Sequence, residues 1–377
     1  MPVDTFTIDR ERRDIDVSRE IALLQPSASP FTVILLRARK LTTRTAEFDW
    51  WEDQIDAYWT QINNATGYTA GDVNLVVDDA TIFKPKDVVK NSRTGEVMFV
   101  TAVNTTTNTI TVTRGYGTTP ATAMNDNDWL VRLGNAMEEN SKAPESKLTQ
   151  PTKKVNYTQI IRTPFDQSMT SEAEDLRTAE SERVRLRKKK LIEHRMDIER
   201  AILFGEPKED PTGKRRMTGG LLYFITTNVK DVGGAMTEAE FEDFCEMLFA
   251  YGSSDKLLIA APHVLSVINQ IARNKIETTS GEETYGIRLK KYLSYHGDLY
   301  LVPSKALEKD YGSMAIGVDM RNIYYRPLKG RDTKLRTNIQ DNDVDGWKDE
   351  YLTEMGLKVE LEKTHAVLKN CTSFSAA

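Results

Sequence analysis

The sequence predicts an α+β protein with a small all-β domain inserted into a larger helix-and-sheet body. Three stretches carry that prediction. Residues Thr170–Phe204 read as one long, highly charged helix. Residues Asn63–Leu133 are rich in Thr, Val, Asn, Asp and Gly and contain almost no helix-favouring run. Residues Leu221–Gly330 mix helix and strand signatures.

The chain has 377 residues, enough for two or three domains and a sizeable core. Hydrophobic content of 39% and charged content of 28% fit an ordinary soluble protein. A net charge of −5 excludes a global basic field for nucleic acid. Cys245 and Cys371 form no disulfide framework and fit no zinc spacing; they suit a reducing compartment. The opening residues MPVDTFTIDRERRD lack the apolar core of a signal peptide. No apolar run approaches the ~18 residues of a membrane span, so no membrane partner is expected.

Residues 1–30 read as an extended arm without a core of its own. Phe31–Arg37 is a short apolar element compatible with helix or strand. In Phe48–Trp59 the aromatics point either to an exposed strand serving assembly or to a local hydrophobic cluster. Within the β module, Asn74–Val77, Val97–Val103 and Thr109–Arg114 read as strands, and NTTTN at 104–108 reads as a hairpin turn; a compact barrel is expected. Asn135–Arg162 is polar and lysine-bearing. It has too few apolar residues to pack a core and makes sense lying on another chain.

The long helix takes Ser171 as N-cap with Glu174 three residues on, and Gly205 and Pro207 stop it. At the α-helical rise it is a rod of roughly 50 Å. Val184, Leu191 and Ile198 recur at heptad spacing, giving a narrow apolar stripe. Such a helix is either solvated with one packed edge or packed against other subunits. Its run Arg183–Lys190 lacks interleaved aromatics; a solvated face or inter-subunit salt links stand beside a loose phosphate contact.

The loop Gly205–Gly220 contains Gly213-Lys214, but the spacing of a phosphate loop is wrong and Arg215 stands where Ser or Thr should bind magnesium. Thr237 and Glu240 form a capping box for a helix burying Phe241, Phe244 and Leu248. Lys256–Ala260, Leu299–Val302 and Met314–Val318 read as strands, and Pro262 starts a helix with Val264, Leu265, Ile268 and Ile271 inward. Thr278–Gly286 reads as a polar loop. At the end, Leu357, Val359 and Leu361 alternate with charged residues as a strand, followed by a short polar tail from Lys369.

Catalytic motifs are absent. His194, His263, His296 and His365 each stand alone, and no nucleophile elbow or dinucleotide fingerprint occurs. Nothing makes a specific case for an enzyme, a cofactor or a metal.

The order of these parts resembles the tailed-bacteriophage major capsid protein of the Hong Kong 97-type fold, in a branch with a β-rich domain near the extended loop. The carrying residues are Phe48-Asp49-Trp50 with Glu52-Asp53, the Val97–Arg114 segment, Leu133-Gly134-Asn135-Ala136 with Glu138-Glu139, Leu203-Phe204-Gly205, Thr218-Gly219-Gly220-Leu221, and Glu354–His365. The resemblance covers about residues 30–370. It implies an N-terminal arm and lead-in at 1–47, an extended loop at 48–62 and 134–165, and an inserted β domain at 63–133. It further implies a spine helix and following loop at 166–220, an axial domain at 221–330, and peripheral return strands with the tail at 331–377.

By the same resemblance the chain is expected to assemble in the host cytoplasm into pentamers and hexamers of an icosahedral virion. Its expected partners are further copies of itself, scaffolding, portal and decoration proteins, and packaged double-stranded DNA held weakly. Phe48, Trp50, Trp51, Glu52, Asp53, Glu138, Glu139, Lys142, Lys147, Lys153, Lys154 and Arg162 are candidate inter-subunit contacts. Arg183, Arg185, Arg187, Lys188, Lys189 and Lys190 are candidates to face the genome. Some relatives cross-link a loop lysine to a neighbour's asparagine, which makes Lys142, Lys147, Lys153 and Lys154 candidates by region, against the ordinary reading of surface lysines. With a short arm before the extended loop, scaffolding is expected to be a separate protein or not fused to the chain. The alternatives are the shell of an encapsulin-type nanocompartment, or a carbohydrate- or ligand-binding protein using the β domain.

Overall fold

The computed structural model describes residues 29–38, 40–143, 149–174, 181–271, 276–277 and 290–375. The chain divides into two compact units, one of Met1–Glu52 with Lys153–Ala377 and one of Asp53–Thr152.

Phe31–Arg37 belongs to a helix, α1 (Pro30–Ala38). Proline suits its first position, and Phe31, Ile34 and Leu35 at helical spacing are buried. Strand β1 (Glu47–Glu52) alternates, with Phe48 and Trp50 inward and Trp51 outward.

The second unit contains β2 (Trp59–Gln61), β3 (Asn74–Val76), β4 (Asp87–Asn91), β5 (Val97–Asn104), β6 (Thr109–Thr113) and β7 (Trp129–Asn135). They form a six-stranded sheet in the order β2-β7-β4-β5-β6-β3. Its two edges meet. Ile62 bridges Val77, the Asn63 N–H donates to the Val76 carbonyl at 3.0 Å, and the Asp78 N–H donates to the Gln61 carbonyl at 3.0 Å. The sheet thereby closes around its own core of Ile62, Leu75, Val89, Met98, Ile110 and Leu130. At the β5–β6 turn the Asn104 side chain accepts from the N–H groups of Thr106 and Thr107. Glu96 and Arg114 pair inside this unit at 2.8 Å. Burial alone would raise the Glu96 carboxyl, but the Arg114 guanidinium and the N–H groups of Thr122 and Gly115 hold it below its usual range.

The first unit resumes with β8 (Thr152–Tyr157), which pairs with β1, and β9 (Gln159–Ser168). Between them the Thr158 N–H donates to the Ala46 carbonyl at 2.7 Å. The expected single rod is not continuous. A short helix α2 (Met169–Ala173), capped by Ser168 rather than Ser171, ends at Glu174 in extended backbone (φ −72, ψ 133). The main helix α3 (Glu182–Phe204) then starts at Ser181 and has 23 residues, a rod of about 34 Å.

After α3 comes a small hairpin of β10 (Lys208–Asp210) and β11 (Arg215–Met217), then a short helix α4 (Leu221–Phe224). The chain returns so close to the end of α3 that a Cβ on Gly205 would meet the Thr218 carbonyl oxygen at 2.3 Å, so only glycine fits there. The Gly220 N–H donates to the Gly205 carbonyl at 2.8 Å.

The remainder contains β12 (Val229–Met236), α5 (Glu238–Phe249), β13 (Asp255–Ala260), α6 (Pro262–Ile271), β14 (Ile276–Glu277), β15 (Lys290–Ser294), β16 (Gly297–Pro303), β17 (Ala315–Val318), β18 (Ile323–Pro327), β19 (Lys334–Arg336), β20 (Gly346–Val359) and β21 (Ala366–Phe374). A seven-stranded sheet runs β12-β21-β17-β13-β16-β15-β14, and a four-stranded sheet joins β18 and β19 to one side of β20 and β9 to the other. The capping box of Thr237 and Glu240 opens α5 as expected.

Two sequence expectations at the end change. The polar tail from Lys369 continues β21, paired with β12, as far as Phe374, and Cys371 within it is buried. The strand read around Leu357 begins earlier, at Gly346, and Leu361 lies beyond it, left-handed (φ 52) and exposed. The loop read at Thr278–Gly286 lies outside the described residues.

Candidate functional site

Helix α3 lies across the sheet made by β9 and β20. Period-2 alternation along β20 turns Trp347, Asp349, Tyr351 and Thr353 toward it. Arg183 and Arg187, one turn apart on α3, both reach the fully buried Asp349 carboxylate at 2.8 Å. The Asn338 N–H adds a third donor at 3.0 Å. Burial would raise the Asp349 carboxyl, but the two guanidinium groups and this N–H hold it below its usual range. The Arg183 guanidinium also sits 3.9 Å from the centre of the Trp347 ring, whose Nε1–H donates to Glu172 at 2.6 Å. The Tyr351 hydroxyl donates to the Arg187 carbonyl at 3.2 Å.

One helical turn further along α3 from Leu191, His194 is buried between the hydroxyls of Thr163 on β9 and Thr353 on β20, at 2.8 and 2.7 Å. Burial pushes its imidazole down to about 4, so it is neutral at pH 7. Glu199, also fully buried, accepts from the Thr32 N–H and hydroxyl of α1 and from the Ser304 hydroxyl at 2.7 Å. Burial raises its carboxyl, and those hydrogen bonds offset part of the rise. Glu199 therefore ties α1 to α3.

The alternate residues of β20 turn to the opposite face of the same sheet. There Glu350 is 1% exposed and held by Arg162 at 2.6 Å and Arg336 at 2.9 Å. Glu354 pairs with Arg331 and accepts from the Thr158 hydroxyl at 3.1 Å. A cleft of about 760 Å³ lies on this face, between the Ser168 end of β9 and the loop from Ile339 to Asp345.

The structure distributes the expected contact residues unevenly. Phe48 (5% exposed) and Trp50 (4%) are not surface contacts; their rings pack inside their own unit, Trp50 against Phe224 at 5.6 Å, with the Arg326 guanidinium 4.8 Å over Phe48. Period-2 alternation makes Phe48 and Trp50 the local hydrophobic cluster and leaves Trp51, at 61%, outside. Glu52 accepts from the Trp50 indole and the Leu361 N–H, and Asp53 accepts from the Gln54 N–H. Lys153 pairs with Asp49 at 2.8 Å and Lys154 is half-buried. Glu138, Glu139 and Lys142 are exposed; Glu138 lies 3.8 Å from Lys86. Lys147 lies outside the described residues. Residues 152–165 do not lack a core: Ile161 and Phe165 are buried, and β9 pairs with β20 along its whole length.

The basic run on α3 is largely matched within the chain. Besides Arg183 and Arg187, Arg185 pairs with Glu182, and Lys190 pairs with Glu193 at 2.6 Å with Lys189 3.9 Å away. Lys188 and Lys189 are exposed. The buried acids that receive Arg183, Arg187 and Arg162 were missed from sequence. Their signal is faint: Trp347–Tyr351 reads as polar, yet it alternates against β9.

No group of three or more His, Cys, Asp or Glu side chains among the described residues is placed to hold a metal ion. No described helix is long and apolar enough to cross a membrane. Lys256, buried, donates to the carbonyls of Leu248, Tyr251 and Thr364 at 2.6–2.7 Å. Burial pushes it down to about 8, with Asp319 opposing. These contacts fasten the end of α5 to the segment before β21.

A family model described as the SU10 major capsid protein matches residues 2–372. The chain belongs to the SU10 major capsid protein family. Its fold is similar to that of tailed-phage capsid structures of the Hong Kong 97 type. It resembles a structure from Mycobacterium phage Bobi at 9% identity, covering 98% of this chain and 99% of that one, with a TM-score of 0.52. It also resembles the capsid of a native GTA particle at 9% identity, covering 96% of each chain, with a TM-score of 0.51. The likeness to an encapsulin complex from Synechococcus elongatus is weaker and partial, at 13% identity over 61% of this chain and 80% of that one, with a TM-score of 0.41. No curated protein sequence matches the chain.

Proposed function

We propose that the chain is the shell subunit of a tailed-phage head, assembling into pentamers and hexamers of an icosahedral capsid that encloses double-stranded DNA. The observation that carries this is the family match from residue 2 to residue 372. The role is structural, without a catalytic site or cofactor, and its place is the virion.

In this reading α3 with β9 and β20 forms the peripheral domain, and the seven-stranded sheet forms most of the axial domain. Residues 48–62 and 134–165 form an extended loop whose strands β1, β8 and β9 are rooted in the sheets of their own chain. The part of the closed sheet within residues 63–133 is the inserted domain. Exposed Trp51, Glu139 and Lys142 are then the best-placed of the expected contact residues. Lys188 and Lys189 are the parts of the basic run best placed for weak contact with the genome, and scaffolding and portal proteins complete the assembly.

Purified chain should give, by light scattering, masses of five- and six-membered rings or closed particles, alone or with its scaffolding protein. A monomer under both conditions would overturn the proposal. Replacing Lys188 and Lys189 by Gln should reduce genome retention without changing assembly; unchanged retention would remove the DNA contact alone.

A further inference from the structure

The β10–β11 hairpin has little in its own unit to support it. Its strands have three residues each, and Lys208, Glu209, Arg215, Arg216 and Met217 are all exposed. A two-stranded hairpin without a covering layer is marginal in water. Arg216 pairs with Glu209 at 2.9 Å, and the Asp210 side chain accepts from the Gly213 N–H. Lys208, Lys214 and Arg215 have no ion-pair partner among the described residues. The hairpin therefore presents excess positive charge, with Met217 as an apolar contact.

The cleft on the outer face of β9 and β20 has the complementary character. Asp166, Asp341 and Asp345 line it and have no ion-pair partner among the described residues, against one further lining cation, Lys348, cross-strand from Asp166; the Glu350 charge is matched by Arg162 and Arg336. Ile339 and half-exposed Val344 supply apolar surface.

The two features cannot meet within one chain. The hairpin is rooted beside the Gln159 end of β9, where the Thr218 N–H donates to the Gln159 side chain at 3.3 Å. Asp166 lies about 23 Å further along that strand, and a three-residue strand reaches about 10 Å. We infer that the β10–β11 hairpin of one copy docks in the β9–β20 cleft of a second copy. Such a contact is head-to-tail, so repeating it generates a ring or an extended array. The inference rests on the proposed shell assembly and adds which two surfaces meet.

The test places one cysteine on each surface, Thr212→Cys at the exposed hairpin turn and Val344→Cys at the cleft. Native Cys245 and Cys371 are buried and serve as silent background. On oxidation of assembled particles, the double variant should give a ladder of disulfide-linked multimers on a denaturing gel, and each single variant should stay monomeric. Particles that form normally yet yield only monomer overturn this contact and leave the shell reading standing. Failure of the unaltered chain to form particles overturns both. A second experiment uses charge. Lys214→Glu with Arg215→Glu should lower particle yield about tenfold. Asp341→Lys with Asp345→Lys should do the same, and the four changes together should restore yield. Harmless single-side reversals, or no rescue by the combination, contradict the inference.

Discussion

Strand β13 of the seven-stranded sheet buries Leu257, Leu258 and Ile259 in one cluster with Phe241, Phe244, Val264 and Ile268. Strand β20 of the four-stranded sheet joins that cluster only at its far end, through Met355, Leu357 and Val359; ahead of them it buries Asp349, Glu350, Thr353 and Glu354 beside Trp347, Tyr351 and Leu352. The first arrangement gains stability from apolar area removed from water, which is strong and tolerant of direction. The second holds its helix by charge-assisted hydrogen bonds, which demand geometry and penalise a missing partner. A helix as polar as α3 has too narrow an apolar stripe to be positioned by burial alone. Asp349, His194 and Glu199 fix its rotation and its distance from the sheet.

The sharpest way to break the comparison is Asp349→Ala. It leaves Arg183 and Arg187 facing a low-dielectric gap, and a loss of about 3–5 kcal/mol is expected in denaturant unfolding. A loss below about 1 kcal/mol would mean that the pair is solvent-like and the contrast is false. Leu258→Ala should cost about 2–5 kcal/mol by cavity formation, without changing the pH dependence.

Buried histidines set the pH dependence in both sheets, His194 against β20 and His365 just before β21. His194 and His365 are buried with folded values of about 4, below the ordinary imidazole value. The unfolded chain therefore binds more protons between pH ~6.5 and ~4, and stability must fall as pH falls through that window. Each histidine contributes up to about 3 kcal/mol of the loss. Glu199, whose folded value is raised, works in the opposite direction, stabilising as pH falls toward the carboxylate range. Thermal melting against pH checks the sign, and His194→Gln should flatten the acid limb. Smaller effects follow on the exposed elements. Thr237→Ala should remove about 1 kcal/mol through the capping box of α5. Arg185→Ala should change stability by less than about 0.5 kcal/mol, since its pair with Glu182 is a partly solvated i,i+3 contact.

Legibility in the sequence follows the same division. Three strands of the closed sheet (β3, β5 and β6), β13, α5 and α6 could be read, because apolar periodicity and caps are local signals. The Thr237–Glu240 box and the NTTTN turn declare themselves within a few residues. β20 was read only at its apolar end. Its first half, GWKDEYLTE, looks solvated until the arginines of α3, β9 and β19 are brought to it from far along the chain. Phe48 and Trp50 looked available for assembly because the strand's inward face cannot be told from its outward face without its partner. The break at Glu174 was hidden because every residue around it tolerates helix.

The most direct test of the account is electron microscopy of the chain expressed alone and with the genes that flank it. The expected result is closed shells, or rings of five and six subunits, with α3 seated on β9 and β20 in every subunit. A compact monomer in both preparations would contradict it.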